Sequence, residues 1–217
     1  MILSLFFTEP LLFAALVLGI VFALTVHEFS HALVAQMLGD PTAERAGRVS
    51  LNPLKHLDPV GFLMLLVAGF GYARPVPYNP SYLKDHRIGP VLIGLAGPLS
   101  NLIFATVGAL ILKLIAPSLG ASNLLVTFLF LLTFINVNLA IFNLIPIPPL
   151  DGSKALFAVL HGHQWERLRF TLESQGPFLL IILIVLDGVF GLNFFSSIIR
   201  FFGNGFFRLM GLEGLSF

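Results

Sequence analysis

Apolar residues are gathered into four long stretches that are almost free of charged residues. A helix needs about 20 apolar residues to cross the hydrocarbon core of a bilayer. Each stretch supplies that length, although the first does so only if it continues to Leu38, and the fourth contains Asp187. The pattern predicts an all-α membrane protein with four transmembrane helices, at about residues 11–38, 88–115, 122–146 and 177–202.

A fifth apolar run, residues 60–72, is too short to span a bilayer. Its length suits a re-entrant or interfacial element at about residues 59–72. Basic residues flank the run on both sides, and basic loops favour the cytoplasmic side of a membrane. Both flanks should therefore lie on that side, which predicts four spans with both termini outside. The flanking basic residues are Arg45, Arg48, Lys55, Arg74, Lys84 and Arg87.

Composition agrees with a membrane protein and narrows the chemistry. Hydrophobic residues make up 57% of the 217 residues and charged residues only 11%, against about 25% charged residues in soluble domains. A net charge of +1 argues against a nucleic-acid partner. Because the chain has no cysteine, a transition metal would have to be held by His, Asp or Glu. No repeat or long linker divides the sequence, so we expect one integral-membrane domain over residues 1–217.

The first predicted span contains an H-E-x-x-H pattern, residues 27–31. On a helix, His27 and His31 fall on one face, so both imidazoles could bind one metal ion. Glu28 lies beside the first of them, where a carboxylate can act as general base toward water. Ionisable groups inside an apolar span indicate a functional site by default. The alternative is a polar cluster that serves helix packing or a proton path.

A catalytic zinc site needs a third protein ligand and leaves its fourth position open. The residues directly after His31 offer none, but the third span ends in residues 143–152, which contain three prolines and then Asp151 and Gly152. Prolines cannot continue a helix, so we expect extended chain here, lining a cavity near the membrane edge. The depth of this segment is compatible with that of His31, which makes Asp151 the predicted third ligand.

These motifs resemble those of the site-2 protease family of intramembrane zinc metalloproteases. The family's signatures are H-E-x-x-H in one span and N-x-x-P-x-x-x-x-D-G at the end of another, and both are complete here, at residues 27–31 and 143–152. Residues 97–101 are similar to the G-P-x-x-N element of a third core span. Residues 52–59 look like a loop of the compact bacterial branch, and the resemblance covers most of the chain.

The resemblance implies a zinc ion held by His27, His31 and Asp151, with Glu28 as general base. It also implies hydrolysis of peptide bonds in or near transmembrane segments of other membrane proteins. The expected partners are such a substrate and the lipid bilayer, and the expected location is a bacterial inner membrane with the active site toward the cytoplasm.

Two amides and one segment could contact the substrate. Asn101 and Asn143 could each donate to the oxyanion of a tetrahedral intermediate, or instead form hydrogen bonds between spans, as we expect for Asn136 and Asn138. Val49 alternates with polar residues, so a small β segment near residues 44–52 could bind an unwound substrate as an edge strand.

Four further ionisable residues lie in loops. His56 and Asp58 could form a pair that supports the metal site, but we favour a role in capping and orienting their loop. His161 and His163 form an H-x-H pattern, and the neighbouring Trp165 favours a solvated interfacial segment over a second metal site.

Two other functions are compatible with the motifs. A cation transporter or channel could use the intramembrane His and Asp side chains, but it would need more polar residues toward the outer face than the spans contain. A catalytically silent homologue could bind membrane clients without cleaving them, although the intact Glu28 argues against this.

Overall fold

The structure is a computed structural model, and it describes residues 2–69 and 71–213. Helices make up all of the regular structure in these residues. Four are short 3₁₀ helices: Ile2–Ser4, Pro53–Lys55, Pro80–Tyr82 and His163–Trp165. The α-helices are α1 (Leu5–Thr8), α2 (Pro10–Met37), α3 (Thr42–Arg45), α4 (Pro59–Ala68), α5 (Ile88–Leu119), α6 (Leu124–Asn143), α7 (Gly152–Val159), α8 (Glu166–Phe190) and α9 (Phe194–Met210).

Four helical segments of the described chain are long and apolar enough to cross a membrane: Pro10–Met37, Ile88–Leu119, Leu124–Asn143 and His163–Phe190. The predicted class, an all-α integral membrane protein with four such helices, is confirmed. The first three segments begin and end within a few residues of the predicted spans.

The fourth predicted span, residues 177–202, is wrong in its bounds. Helix α8 begins earlier, at Glu166, and ends at Phe190, after which the chain turns into α9. Gly191 (φ 62°) and Asn193 (φ 56°) adopt left-handed conformations that interrupt the helix. The Asp187 carboxylate accepts a hydrogen bond from the backbone N–H of Phe194 at 2.6 Å, so it caps the start of α9.

Helices α2, α5 and α6 pack against one another through small residues. Ala23 of α2 and Ala105 of α5 are fully buried. A Cβ added to Gly108 of α5 would lie 2.5 Å from the Thr133 hydroxyl of α6. Small side chains let helix backbones approach closely, which is the usual way that helices associate inside a bilayer. The motif on α2 is therefore enclosed by two neighbouring helices.

Helix α9 lies along α6. Near its start, Phe195 packs with Ile145 and Leu150, just after the C-terminal end of α6. Just after its end, Leu212 packs with Leu112 and with Val126, near the N-terminal end of α6. The two helices therefore run in opposite directions along the bundle.

Two buried charged residues fix the connection between α2 and α5. Fully buried Asp40 accepts hydrogen bonds from Thr42 and, at 2.6 Å, from the backbone N–H of Asn79. Arg48 donates to the backbone carbonyls of Arg74 and Pro75. Both anchors hold residues 71–79, which we call the return segment, beside the bundle.

The β segment predicted near residues 44–52 is wrong, because no strand occurs there. Residues 42–45 form helix α3, and Gly47 (φ 66°) turns the chain after it. The backbone here forms a local hydrogen bond instead of a strand pairing, because the Arg48 N–H donates to the carbonyl of Ala43. Within residues 2–69 and 71–213, the only β contact is a single antiparallel bridge between Leu57 and Ala73.

The short apolar run forms helix α4. The Asp58 carboxylate accepts hydrogen bonds from the backbone N–H groups of Val60 and Gly61, both at 3.0 Å. Asp58 therefore caps this helix, which agrees with the capping role that we favoured for it from the sequence. Gly69 (φ 81°) ends α4, and residue 70 of the predicted element lies outside the described residues. The depth of α4 in a membrane stays a prediction.

His56 ties the loop before α4 together and is completely buried. Its Nε2 atom donates to the Ser50 carbonyl at 2.6 Å, and its own carbonyl accepts from Arg74 N–H at 2.8 Å. Burial lowers the pKa of His56, the bond to Ser50 raises it, and nearby Arg48 lowers it further. The net pKa lies below the ordinary 6.5, so the folded loop favours the neutral ring.

We expect the loop at residues 48–58 to loosen on acidification. A histidine with a depressed folded pKa stabilises the fold above its unfolded pKa, about 6.5, and this stabilisation is lost as the pH falls toward the folded value. Amide hydrogen exchange of the loop, corrected for intrinsic rates, should rise in the wild type as the pH falls below about 6.5. The same rise in His56→Gln would contradict this origin.

Candidate metal centre

Three side chains from two distant parts of the chain converge inside the bundle. His27 and His31 lie one turn apart on α2, and Asp151 lies directly before α7. The Asp151 Oδ2 atom is 3.0 Å from His27 Nε2 and 3.1 Å from His31 Nε2. All three residues are at most 9% exposed. The structure thus brings together the three residues predicted as metal ligands.

The segment after α6 folds back to place Asp151 in this position. It does so as a series of turns rather than as the extended chain that we expected, with Leu150 N–H donating to the Ile147 carbonyl. A Cβ on Gly152 would overlap the Leu144 carbonyl, so only glycine permits this close return. The Ser153 hydroxyl donates to the Leu150 carbonyl at 2.6 Å and closes the last turn.

Hydrogen bonds fix the tautomer of both histidines. The Nδ1 atom of His27 lies 2.6 Å from the Asn101 side-chain oxygen, and that of His31 lies 2.6 Å from the Ile93 carbonyl. Carbonyl oxygens only accept, so each Nδ1 carries the hydrogen and donates. In the neutral rings, both Nε2 lone pairs then point toward Asp151, as expected for imidazoles that bind a metal.

The donor set fits a zinc ion. With both rings neutral, the two Nε2 nitrogens and the Asp151 carboxylate oxygen are all acceptors, and one shared metal cation would satisfy all three. All three ligand atoms lie within 4.8 Å of one another. Zinc binds nitrogen and oxygen at about 2.0–2.2 Å, so adjacent ligands of a tetrahedral site lie about 3.3–3.6 Å apart. The observed separations of 3.0 and 3.1 Å are a few tenths of an ångström shorter than this range, so a small outward shift of the ligands would admit the ion.

Gly97 of α5 keeps space open beside the histidines. A Cβ at this position would lie 2.5 Å from His31 Nε2 and 2.7 Å from His27 Nε2. Real Cβ contacts essentially never fall below 3.0 Å. From the sequence, Gly97 was identified only as part of the G-P-x-x-N element, because nothing in the local sequence shows which atoms face a glycine.

Glu28 is buried and adjoins both His27 and the loop before α4. Burial lowers the pKa of the Arg48 guanidinium, and the charge of the Glu28 carboxylate raises it. Glu28 has the same raising effect on His56, after burial has lowered the pKa of that ring. The charge of the predicted base is therefore felt by two residues of the loop, of which Arg48 was not singled out as a site residue from the sequence.

Asn101 is fully buried at the meeting point of α2, α5 and α6. Its oxygen accepts from His27, and its NH₂ group donates to the Ala23 carbonyl at 3.1 Å and to the Asn136 side chain at 2.7 Å. Both amide hydrogens are occupied, so this geometry supports positioning of His27 rather than donation to an oxyanion. Asn136 forms the hydrogen bond between helices that we expected of it.

Asn143 remains a predicted substrate contact. Its NH₂ group donates to the Leu139 carbonyl of its own helix at 3.0 Å, and the side chain is half-buried.

Lys154 is a neighbour of the site that sequence analysis missed. Its Nζ atom lies 2.7 Å from the second carboxylate oxygen of Asp151, Oδ1. The available signal is the spacing of three residues between Asp151, directly before α7, and Lys154 on α7, because residues three apart lie on one face of a helix.

His161 and His163 lie away from this centre. Both are exposed, and His163 Nδ1 contacts the Glu166 carboxylate at 2.8 Å. Among residues 2–69 and 71–213, only His27, His31 and Asp151 form a group able to hold a metal ion. The H-x-H pattern is thus part of a solvated segment, as we favoured.

Comparison with known proteins places the chain in a family. The sequence profile of Peptidase family M50 matches residues 111–186. "Putative zinc metalloprotease YwhC" of Bacillus subtilis is 45% identical over 146 residues, which cover 65% of this chain and 67% of that protein. "Putative zinc metalloprotease Rip2" of Mycolicibacterium smegmatis is 30% identical over 199 residues, which cover 88% of this chain and 73% of that protein.

A further relative matches a smaller part of the chain. "Putative zinc metalloprotease MJ0611" of Methanocaldococcus jannaschii is 34% identical over 132 residues, which cover 60% of this chain and 62% of that protein. No solved structure matches the chain. The similarity to YwhC and Rip2 extends over most of both partners in each pair, and so the chain belongs to Peptidase family M50, the site-2 protease family.

Proposed function

We propose that this integral membrane protein is a zinc-dependent intramembrane endopeptidase of the site-2 type. Its substrates are other membrane proteins, which it cleaves in or near their transmembrane segments. The observation that carries the proposal is the convergence of His27 Nε2, His31 Nε2 and Asp151 Oδ2 inside an apolar helix bundle, next to the Glu28 carboxylate. The family and the names of the relatives support peptidase chemistry and zinc.

Each of the four residues has a distinct role in the proposal. His27, His31 and Asp151 hold the zinc ion, and its chemistry is to polarise a carbonyl and to lower the pKa of water. Glu28 takes a proton from the attacking water and returns it to the leaving amine, which a carboxylate near the reacting atoms can do in both directions. Asn101 and the Ile93 carbonyl keep the two imidazoles in the required tautomer.

The buried position of the site limits which conformation of the substrate can reach it. Carbonyl groups of an intact helix are hydrogen-bonded within it and shielded by side chains. A transmembrane substrate must therefore unwind locally before one of its carbonyls reaches Glu28. Helix-breaking residues near the scissile bond would make this step easier.

The proposed orientation places the site toward the cytoplasm of a bacterial cell. Basic residues in the loop between α2 and α5 and those near α7 and α8 favour the cytoplasmic side of the inner membrane. Asp151 lies between α6 and α7, at the end of the bundle where these loops are found.

Cleavage in proteoliposomes tests the proposal. The purified chain should contain about one zinc per chain, and it should cleave a labelled single-span protein within or next to its apolar segment. Chelation should stop cleavage and added zinc should restore it. Cleavage by metal-free protein would refute the proposal that the enzyme depends on zinc. Cleavage of a soluble peptide of the same sequence, with the membrane-inserted substrate left intact, would refute intramembrane action.

A further inference from the structure

The Asp151 carboxylate has different partners at its two oxygens. Oδ2 faces the two histidines, whereas Oδ1 accepts a hydrogen bond from Lys154 Nζ at 2.7 Å. The Lys154 side chain is 24% exposed, against 11% for that of Asp151. The ion pair is therefore largely removed from water, where charge-assisted hydrogen bonds are stronger than on a surface.

Helix α5 confines the stem of Lys154. A Cβ on Gly94 would lie 2.6 Å from Lys154 Cδ and 3.2 Å from Lys154 Cβ. It would also lie 3.1 Å from the backbone carbonyl of Asp151. The backbone of α5 thus packs directly on the aliphatic part of Lys154, and this contact limits the directions in which the ammonium group can point.

The return segment closes the other side of the Lys154 side chain. The ammonium nitrogen lies 6.0 Å from the centre of the Tyr78 ring, at the outer limit for a cation–π contact. Tyr78 is held in place by its neighbour Asn79, whose backbone N–H donates to the buried Asp40. Lys154 therefore lies between an anchored ring and the Asp151 carboxylate.

We propose that Lys154 is a positioning residue for the metal centre. By occupying Oδ1, it makes Asp151 a ligand through Oδ2 alone. A carboxylate without such a partner could rotate and bind through both oxygens, using the coordination position that water or substrate needs. This inference rests on the proposed function, because it assigns Lys154 a role toward the same zinc ion.

The charge of Lys154 contributes a second effect. Glu28 and Asp151 are both acidic and both buried, and an uncompensated buried charge is strongly destabilising. Lys154 offsets the Asp151 charge without removing the lone pairs of Oδ2. An uncharged side chain at this position would lose both the fixed orientation and this compensation.

Zinc affinity tests the proposal independently of cleavage. The Lys154→Met variant should bind zinc about 10- to 100-fold more weakly than the wild type, the usual cost of removing a partner of a metal ligand. The Lys154→Arg variant keeps a cation within reach of Oδ1 and should regain most of that loss. Competition with a chromophoric chelator measures the affinity, and thermal unfolding without metal establishes that each variant is folded. The matched control is Lys113→Met, an exposed lysine of α5.

X-ray absorption at the zinc edge reads the ligand mode. The wild type should show a single carboxylate oxygen at about 2.0–2.2 Å, and Lys154→Met should show a second, longer one. Affinity of Lys154→Met within about threefold of the wild type, well short of the expected loss, would overturn the proposal. So would an unchanged absorption spectrum. Failure of the proposed peptidase function would give a different result, because the wild type would then bind zinc but would not cleave the substrate.

Discussion

Replacement of Glu28 by Gln is expected to reduce the cleavage rate by about 10²- to 10⁴-fold, the range that a positioned general base contributes. Gln has nearly the same shape but cannot accept a proton from water. Because Glu28 is not one of the three proposed ligands, zinc content should stay close to that of the wild type. Cleavage of a single-span substrate in proteoliposomes, together with metal analysis of the same preparation, measures both quantities.

The matched control is Glu44→Gln, which makes the same chemical change at an exposed residue of α3. Its cleavage rate should equal that of the wild type. If Glu28→Gln retained more than about a tenth of the activity, far above the expected range, Glu28 would not be the base. If Glu28→Gln lost its zinc as well, the carboxylate would belong to the ligand set instead.

Replacement of Gly97 by Ala is expected to abolish zinc binding, and cleavage with it. The added Cβ would lie 2.5 Å from His31 Nε2 and 2.6 Å from His27 Cε1. The rings cannot move away without breaking the hydrogen bonds that His27 makes with Asn101 and His31 makes with the Ile93 carbonyl. The added methyl group would therefore displace the imidazole rings that are proposed to bind zinc. Metal analysis of the purified variant measures the loss.

Gly205→Ala serves as the control, because a Cβ at this helical position of α9 has open space around it. Alanine favours a helix more than glycine does, so this variant should be at least as stable as the wild type. Both variants should be monodisperse after purification. Full zinc occupancy in Gly97→Ala would place the metal elsewhere in the chain.

The parts of the fold that depend on local composition could be predicted from the sequence. The first three spans follow from the length of their mostly apolar stretches, and the pairing of His27 with His31 follows from helical periodicity. The proline segment after α6 indicated where a ligand could leave the helix. These predictions depend only on residues that lie close together in the sequence.

The remaining features depend on contacts between distant residues. Two left-handed residues, Gly191 and Asn193, split the fourth span, although the apolar pattern runs on through them. Arg48 had the appearance of an ordinary cytoplasmic loop charge, yet it is buried against backbone carbonyls. The close approach of Gly97 to the two histidines depends on how α5 packs on α2, which no local pattern encodes.

The amide of Asn101 also sets the axial register of the bundle. In a bilayer, apolar side chains meet lipid and neighbouring helices on nearly equal terms, so apolar packing alone gives little resistance to a helix sliding along its axis. Asn101 is bonded to Ala23 and His27 of α2 and to Asn136 of α6. A shift of any of these helices by one residue, about 1.5 Å, would strain or break bonds buried away from water. One side chain thus aligns three helices at the depth where the histidines lie.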